Sequence, residues 1–259
     1  MTWTEWVALI GAAAWLPQIG QWIYALAAKP KLKVLPAPTV SIGYNILGPI
    51  VNLMVSISAE RRDAVVEKIT LKIRHEKGEE RQLTWKVLDE TFSQVRTHTG
   101  ESAEYIKNQP AIALKVSTLL LVEKTIGFQD FEFQAKSQEL TGRLEEEYEF
   151  LKKRHQSEDV INQILQTKDY TKARDFFNDY YYWREGRYTF QMQLHEVRRR
   201  KPHIEKFEVI LSKADVELLR ENCKYLEDYV RAQILSEGNK ETKFPSWNWS
   251  SPQIKRIVA

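Results

Sequence analysis

The chain has 259 residues, 43% hydrophobic and 28% charged, with a net charge of +3. That composition is ordinary for a globular protein with room for one large domain and appendages, and the charge is too small to imply a nucleic-acid partner. The single cysteine, Cys223, excludes an internal disulfide and agrees with a reducing compartment.

Residues 1–30 read as a transmembrane anchor. Val7 to Ala28 carries no charge. About 22 residues at about 1.5 Å each reach about 33 Å, enough for a hydrocarbon core of about 30 Å. Trp3 and Trp6 stand at one end of the run, Trp22 and Tyr24 near the other, as interfacial anchors do. Lys29, Lys31 and Lys33 follow it, and the nearest charge before it is Glu5. The positive-inside rule then puts the N-terminus outside a cell membrane and residues 29–259 in the cytoplasm. Met1–Trp6 lacks the basic stretch of a signal peptide, although Ala25-Leu26-Ala27 has the small-residue form of a cleavage site. Pro17, Gln18 and Gln21 would also suit a helix lying on a membrane surface or buried in a soluble body.

One side of the run gathers Gly11, Ala14, Gln18, Gln21 and Ala25 when wound at about 100° per residue. Small residues and side-chain amides favour close helix contact in lipid. This is the expected association seam, and a homo-oligomer is the simplest way to satisfy both glutamines. The alternative is a lone anchor whose amides meet water at a kink beside Pro17.

Residues 29–38, with three prolines, read as a stiff extended exit whose lysines suit anionic headgroups. Period-two alternation follows at Val51–Ser58, Val65–Arg74 and Leu83–Val87, with a turn at Glu76-Lys77-Gly78-Glu79. A long strand is expected over Ala111–Val122 and another at Phe131 and Phe133. Residues 138–183 turn helical, ending in the aromatic run Phe176–Trp183. Alternation returns at Tyr188–His195 and Phe207–Leu211, joined by Arg198-Arg199-Arg200-Lys201. Ser212, with Asp215 three residues on, opens a C-terminal helix that Gly238 ends.

The expected fold is mainly β with α: the anchor helix, then an immunoglobulin-like antiparallel β-sandwich with a helical insertion and a C-terminal helix. The expected parts are 1–30 anchor, 31–137 first part of the sandwich, 138–185 helical insertion, 186–212 closing hairpin, 213–238 helix and 239–259 tail. The layout resembles that of membrane-tethered effector proteins of bacterial antiviral systems, in which a span is joined to a cytoplasmic recognition domain. The likeness is one of arrangement, not of motif.

No metal-ligand spacing, nucleophile elbow or glycine-rich phosphate loop is present in the sequence. We therefore expect no enzyme and no cofactor. Lys29, Lys31, Lys33, Arg198, Arg199, Arg200 and Lys201 are the expected contacts for anionic lipid or another phosphate-bearing ligand. Tyr181, Tyr182, Trp183, Trp247 and Trp249 are the expected contacts for an unidentified protein partner, although rings at these positions also suit packing of helices onto a sheet. Direct binding of nucleic acid is not expected. The functional expectation is a single-pass, non-enzymatic interaction or sensor protein, in one version an effector that perturbs the bilayer on oligomerising. The alternative is a structural accessory subunit of a larger membrane complex.

Overall fold

The computed structural model describes residues 15–20, 29–96, 102–153, 157–197, 199–236 and 243–257, with backbone alone at 90–96, 102–108, 157–158 and 234–236. Most of the run expected to be an anchor lies outside these residues. Within it, residues 16–20 are helical, with Trp15, Leu16 and Ile19 exposed. Among the described residues no helix is long and apolar enough to cross a membrane.

The chain is mainly antiparallel β with helices. The strands are β1 (Lys31–Pro36), β2 (Ser41–Asn45), β3 (Gly48–Glu60), β4 (Ala64–His75), β5 (Glu80–Arg96), β6 (Ser102–Pro110), β7 (Leu114–Val116), β8 (Val122–Gln129), β9 (Gly186–Glu196), β10 (His203–Leu211), β11 (Trp249–Ser250) and β12 (Ile254–Arg256). The helices are α1 (Phe131–Lys152), α2 (Ser157–Leu165), α3 (Lys168–Asp179), α4 (Lys213–Glu221) and α5 (Tyr225–Ser236), with a 3-10 turn at Asn222–Lys224.

Period two organises the sheet. In β9, Tyr188, Phe190, Met192 and Leu194 are buried, and in β10 Phe207, Val209 and Leu211. Branched and aromatic side chains on one face of each strand meet across a single core. The two separate sheets of the expected sandwich are replaced by one hydrogen-bonded path, β11-β2-β3-β8-β5-β4-β9-β10-β12. This sheet curls. β1 and β2 run end to end along one edge of β3, so the proline-rich exit is itself partly strand.

The two ends of the path are brought together by the C-terminal segment. β11 pairs with β2 and β12 with β10. Between them Val40 N–H donates to Pro252 O at 3.1 Å and Ile254 N–H to Pro38 O at 3.0 Å. Closure satisfies edges that would otherwise offer unpaired backbone groups. Gly43 makes room for it: an added Cβ would stand 2.5 Å from the Trp249 ring.

Three further expectations are corrected. Ala111–Val122 is not one strand, because β7 is three residues long and residues 117–121 form a loop. Phe131 and Phe133 begin α1, capped by Asp130, whose Oδ1 accepts from Glu132 N–H at 2.9 Å and Phe133 N–H at 3.1 Å. The helical part thus starts seven residues before position 138. The polar stretch after Val87 forms the long β5–β6 hairpin.

Register defines two poles. At one lie the β2–β3 turn, the β4–β5 turn and the helices. The other holds the β3–β4 turn, residues 117–121 and the β9–β10 turn, since Ile57 is opposite Val122, Ala64 opposite Val116 and Val66 opposite Glu196.

An aromatic plug fills the helical pole. Tyr44, Phe133, Phe177, Tyr181, Trp183 and Tyr188 pack edge-on or tilted. Tyr44 Oη donates to Phe177 O, and Trp183 Nε1–H to Gly43 O at 3.2 Å. Burial pushes the hydroxyls of Tyr44, Tyr181 and Tyr182 up, and that of Tyr188 to about 12. An acid whose folded pKa exceeds its unfolded value, near 10 for tyrosine, adds stability that is complete below about pH 10 and lost as pH rises through the folded value. We expect the denaturant midpoint to be level from pH 8 to about 10 and to fall steeply above it, with the last part of the tyrosinate absorbance, that of the buried rings, appearing only in step with unfolding. Ionisation of all 11 tyrosines ahead of unfolding would contradict the burial.

Candidate functional site

Four helices and the β2–β3 turn line an open-mouthed cavity of about 320 Å³ at the helical pole. α1 supplies Leu140 and Leu144, α2 Ile164, α3 Ala173 and Phe176, and α5 Val230. The local sequence explains why these helices meet there. α1 is held at its start by the Asp130 cap. α3 is capped by Thr167, whose Oγ1 accepts from Tyr170 N–H at 3.1 Å. α2 turns Val160, Ile161 and Ile164 inward onto Leu144, Tyr148, Leu151 and Val230, a cluster separate from the sheet core. The helices therefore pack on one another at their outer ends and on the sheet at their inner ends, and the cavity lies between these two contacts.

Its walls are chiefly apolar. Polar groups are the minority: Ser137, Gln138, Thr141, Glu145 and Tyr148 line the α1 side, Gln233 belongs to α5, and Tyr170 and Tyr229 present rings with hydroxyls. Burial pushes both hydroxyls up, so at physiological pH each is neutral and able to donate. A few placed polar groups in an apolar concavity are the usual form of a small-molecule site.

Beside it lies a polar cleft around Arg81, whose guanidinium sits 4.1 Å from the Tyr180 ring centroid and 4.8 Å from that of Tyr182. Arg81 Nη1 is 3.6 Å from Asp130 Oδ2, which also accepts from Tyr180 Oη at 2.8 Å. Burial and this donation to Asp130 push the Tyr180 hydroxyl to about 12, far from the range of a proton shuttle at neutral pH. The cluster ties the start of α1 to the end of α3. No group of three or more histidine, cysteine or acidic side chains able to hold a metal occurs among the described residues.

No protein family, curated protein or solved structure matches this chain. The site must be read from its own chemistry.

The residues expected to meet a partner are mostly turned inward. Trp183 is 0% exposed and Tyr182 is buried. Tyr181 donates its hydroxyl to Val216 O at 2.9 Å, and Trp247 packs against Phe177, Tyr225 and Tyr229. Only Trp249 is open, at 38%, and it lies over Gly43. These rings fasten helices and C-terminal segment to the sheet. Burial also pushes the Cys223 thiol up to about 11.

The expected lipid contacts fall at the opposite pole. Lys31 and Lys33 begin β1 and pair with Glu60, while Lys29, Arg199, Arg200 and Lys201 are exposed. Arg198 lies outside the described residues, as do Gly11, Ala14, Gln21 and Ala25 of the expected seam; Gln18 is exposed on the 16–20 helix. Sequence reasoning missed the cavity lining, which is drawn from four helices. It also missed the leucines 119–121, whose run of three was absorbed into an expected strand.

Proposed function

We propose that this is a single-pass, membrane-anchored, non-enzymatic binding protein whose β body presents the helical cavity to a small amphiphile. The cavity carries the reading. An apolar cavity of about 150 Å³ accommodates a benzene ring; at about 320 Å³ this one suits an apolar body of roughly twice that size, such as the chain of a medium-length fatty acid. Tyr170 and Tyr229 line it and carry hydroxyls that would bond a polar head. The uncharged run Val7–Ala28, flanked by lysines on one side, supports the anchor. Occupancy would fix α1, α3 and α5 to one another, a change that a sensor can pass to neighbouring copies through the Gln18/Gln21 seam.

Decanoate added to the full chain in lipid nanodiscs is the test. A ligand that binds only the native state stabilises it by about 2.7 kcal/mol at a hundredfold excess over its dissociation constant, so the melting temperature should climb with concentration. Ala173→Phe fills the cavity and should melt near the wild-type value with no response to decanoate. Failure of the wild-type protein to respond, or an equal response in the variant, would remove this ligand class.

A further inference from the structure

The pole opposite the cavity carries an exposed apolar loop ringed by cations. Leu119, Leu120 and Leu121 are 90%, 70% and 55% exposed. Three consecutive leucines held in water oppose the hydrophobic effect unless something covers them. The backbone beside them is tied down: Asp63 Oδ1 accepts from Thr118 N–H at 2.9 Å and from its hydroxyl at 3.2 Å, Ser117 Oγ accepts from Leu119 N–H at 3.1 Å, and Ser117 O accepts from Ala59 N–H at 3.2 Å. The sheet thus holds the leucines out. Val65 and Val197, joined by Val197 N–H donating to Val65 O at 3.1 Å, are exposed beside them.

The charge around this tip is positive. Arg61, Arg199, Arg200 and Lys201 are exposed and Arg62 half-buried. Of the acids here, Glu60 pairs with Lys31 and Lys33, Asp63 with Lys115, Glu123 accepts from Ser56, Glu196 is buried and Glu67 is exposed on β4, so the cations outnumber the acids. Arg61 is also strained, with φ at 73°. That left-handed conformation favours glycine or asparagine, and it shapes the β3–β4 turn that carries Arg61 and Arg62.

Tether length adds a third constraint. The uncharged run ends at Ala28, and Lys31 is already paired opposite Glu60 at this pole. Three residues of extended chain reach only about 10 Å. If the run spans a bilayer, this pole and no other stands at the surface.

We propose that the cationic pole docks on an anionic bilayer, with Leu119, Leu120 and Leu121 inserted at headgroup depth and Arg61, Arg62, Arg199, Arg200 and Lys201 on lipid phosphates. The tether argument rests on the anchored reading; the leucines and the cations stand without it. Long cationic side chains over inserted aliphatic ones are the pattern of an interfacial contact. Docking fixes the body upright, with the ligand cavity facing away from the membrane.

The test uses the full chain with Cys223→Ser and a single new cysteine, Leu120→Cys, carrying an environment-sensitive fluorophore. Lys77→Cys, on the opposite pole, carries the same dye as a control. In nanodiscs containing about a third phosphatidylserine, the dye at 120 should shift to the blue, brighten several-fold and resist aqueous iodide, while that at 77 behaves as in water. Adding Arg199→Glu, Arg200→Glu and Lys201→Glu should return the dye at 120 to water-like emission, as should discs of phosphatidylcholine alone. A dye at 120 as accessible to iodide as that at 77 overturns docking while leaving the anchor intact. If the chain does not remain in the discs, the anchor fails instead; docking is then read by adding preformed anionic vesicles, where a blue shift upholds it and none overturns it.

Discussion

Deleting residues 243–259 should abolish cooperative unfolding. The segment is short, but it closes the sheet. Its loss uncovers the inner faces beneath Trp247 and Ile254 and strips the outer edges of β2 and β10 of their partners at once. Three buried or partly buried polar groups lose partners. Asn222 bonds Asn248 in both directions, its Nδ2–H donating to Asn248 O at 2.9 Å and its Oδ1 accepting from Asn248 N–H at 2.8 Å. Asp215 Oδ1 accepts from Ser250 Oγ at 2.6 Å. Glu205 accepts from Arg256 Nη2 and Nε at 2.8 and 3.0 Å, keeping only His203 at 3.0 Å once Arg256 is gone. Each keeps one other partner, so each lost hydrogen bond costs about 0.5–1.5 kcal/mol, and each large apolar side chain re-exposed costs about 1.5–3 kcal/mol. The sum rivals a whole domain's stability of about 5–15 kcal/mol. Circular dichroism should show strand content without a melting transition; a sharp transition close to that of the intact protein would mean the closure is ornamental.

Trp183→Ala should be the most damaging single substitution. The indole is fully buried between Tyr182 and Tyr188, with ring centroids 4.6 and 5.8 Å away, and its N–H reaches Gly43 O at 3.2 Å. It therefore joins the α3–β9 connection to the strand that the C-terminal segment covers. Truncating a buried tryptophan costs about 3–5 kcal/mol, from lost transfer energy and the void left behind. Trp183→Phe keeps most of the ring volume and removes the donor, so it should cost about 1–2 kcal/mol. Urea midpoints at unchanged slope would report both. Alanine costing no more than phenylalanine would place the indole outside the core.

Much of the sheet was legible because its signal is local. β4, β9 and β10 announce themselves by alternation, and the capping box of α4 by Ser212 and Asp215, whose backbone N–H lies 3.2 Å from Ser212 Oγ. Phe131 and Phe133 misled because a phenylalanine at every second position mimics a strand; the cap at Asp130 decides otherwise. The β5–β6 hairpin escaped notice because Asp89–Lys107 is too polar to alternate. The curl, the cavity and the leucine tip were illegible for one reason: each depends on residues far apart in sequence. Trp249 meets Gly43, Leu140 faces Val230 across a space, and the tip is a pole only once β1, β8 and β9 are in register.

The closing pair Ile42–Ser250 also sets a timetable for biosynthesis. Chains emerge from the ribosome N-terminus first, at about 5–20 residues per second. β2 is among the earliest strands made and its partner β11 among the last, so β2 waits with an open edge while nearly all the rest is translated. The nascent body would keep that edge open, and depend on holding chaperones, until its final strand is released.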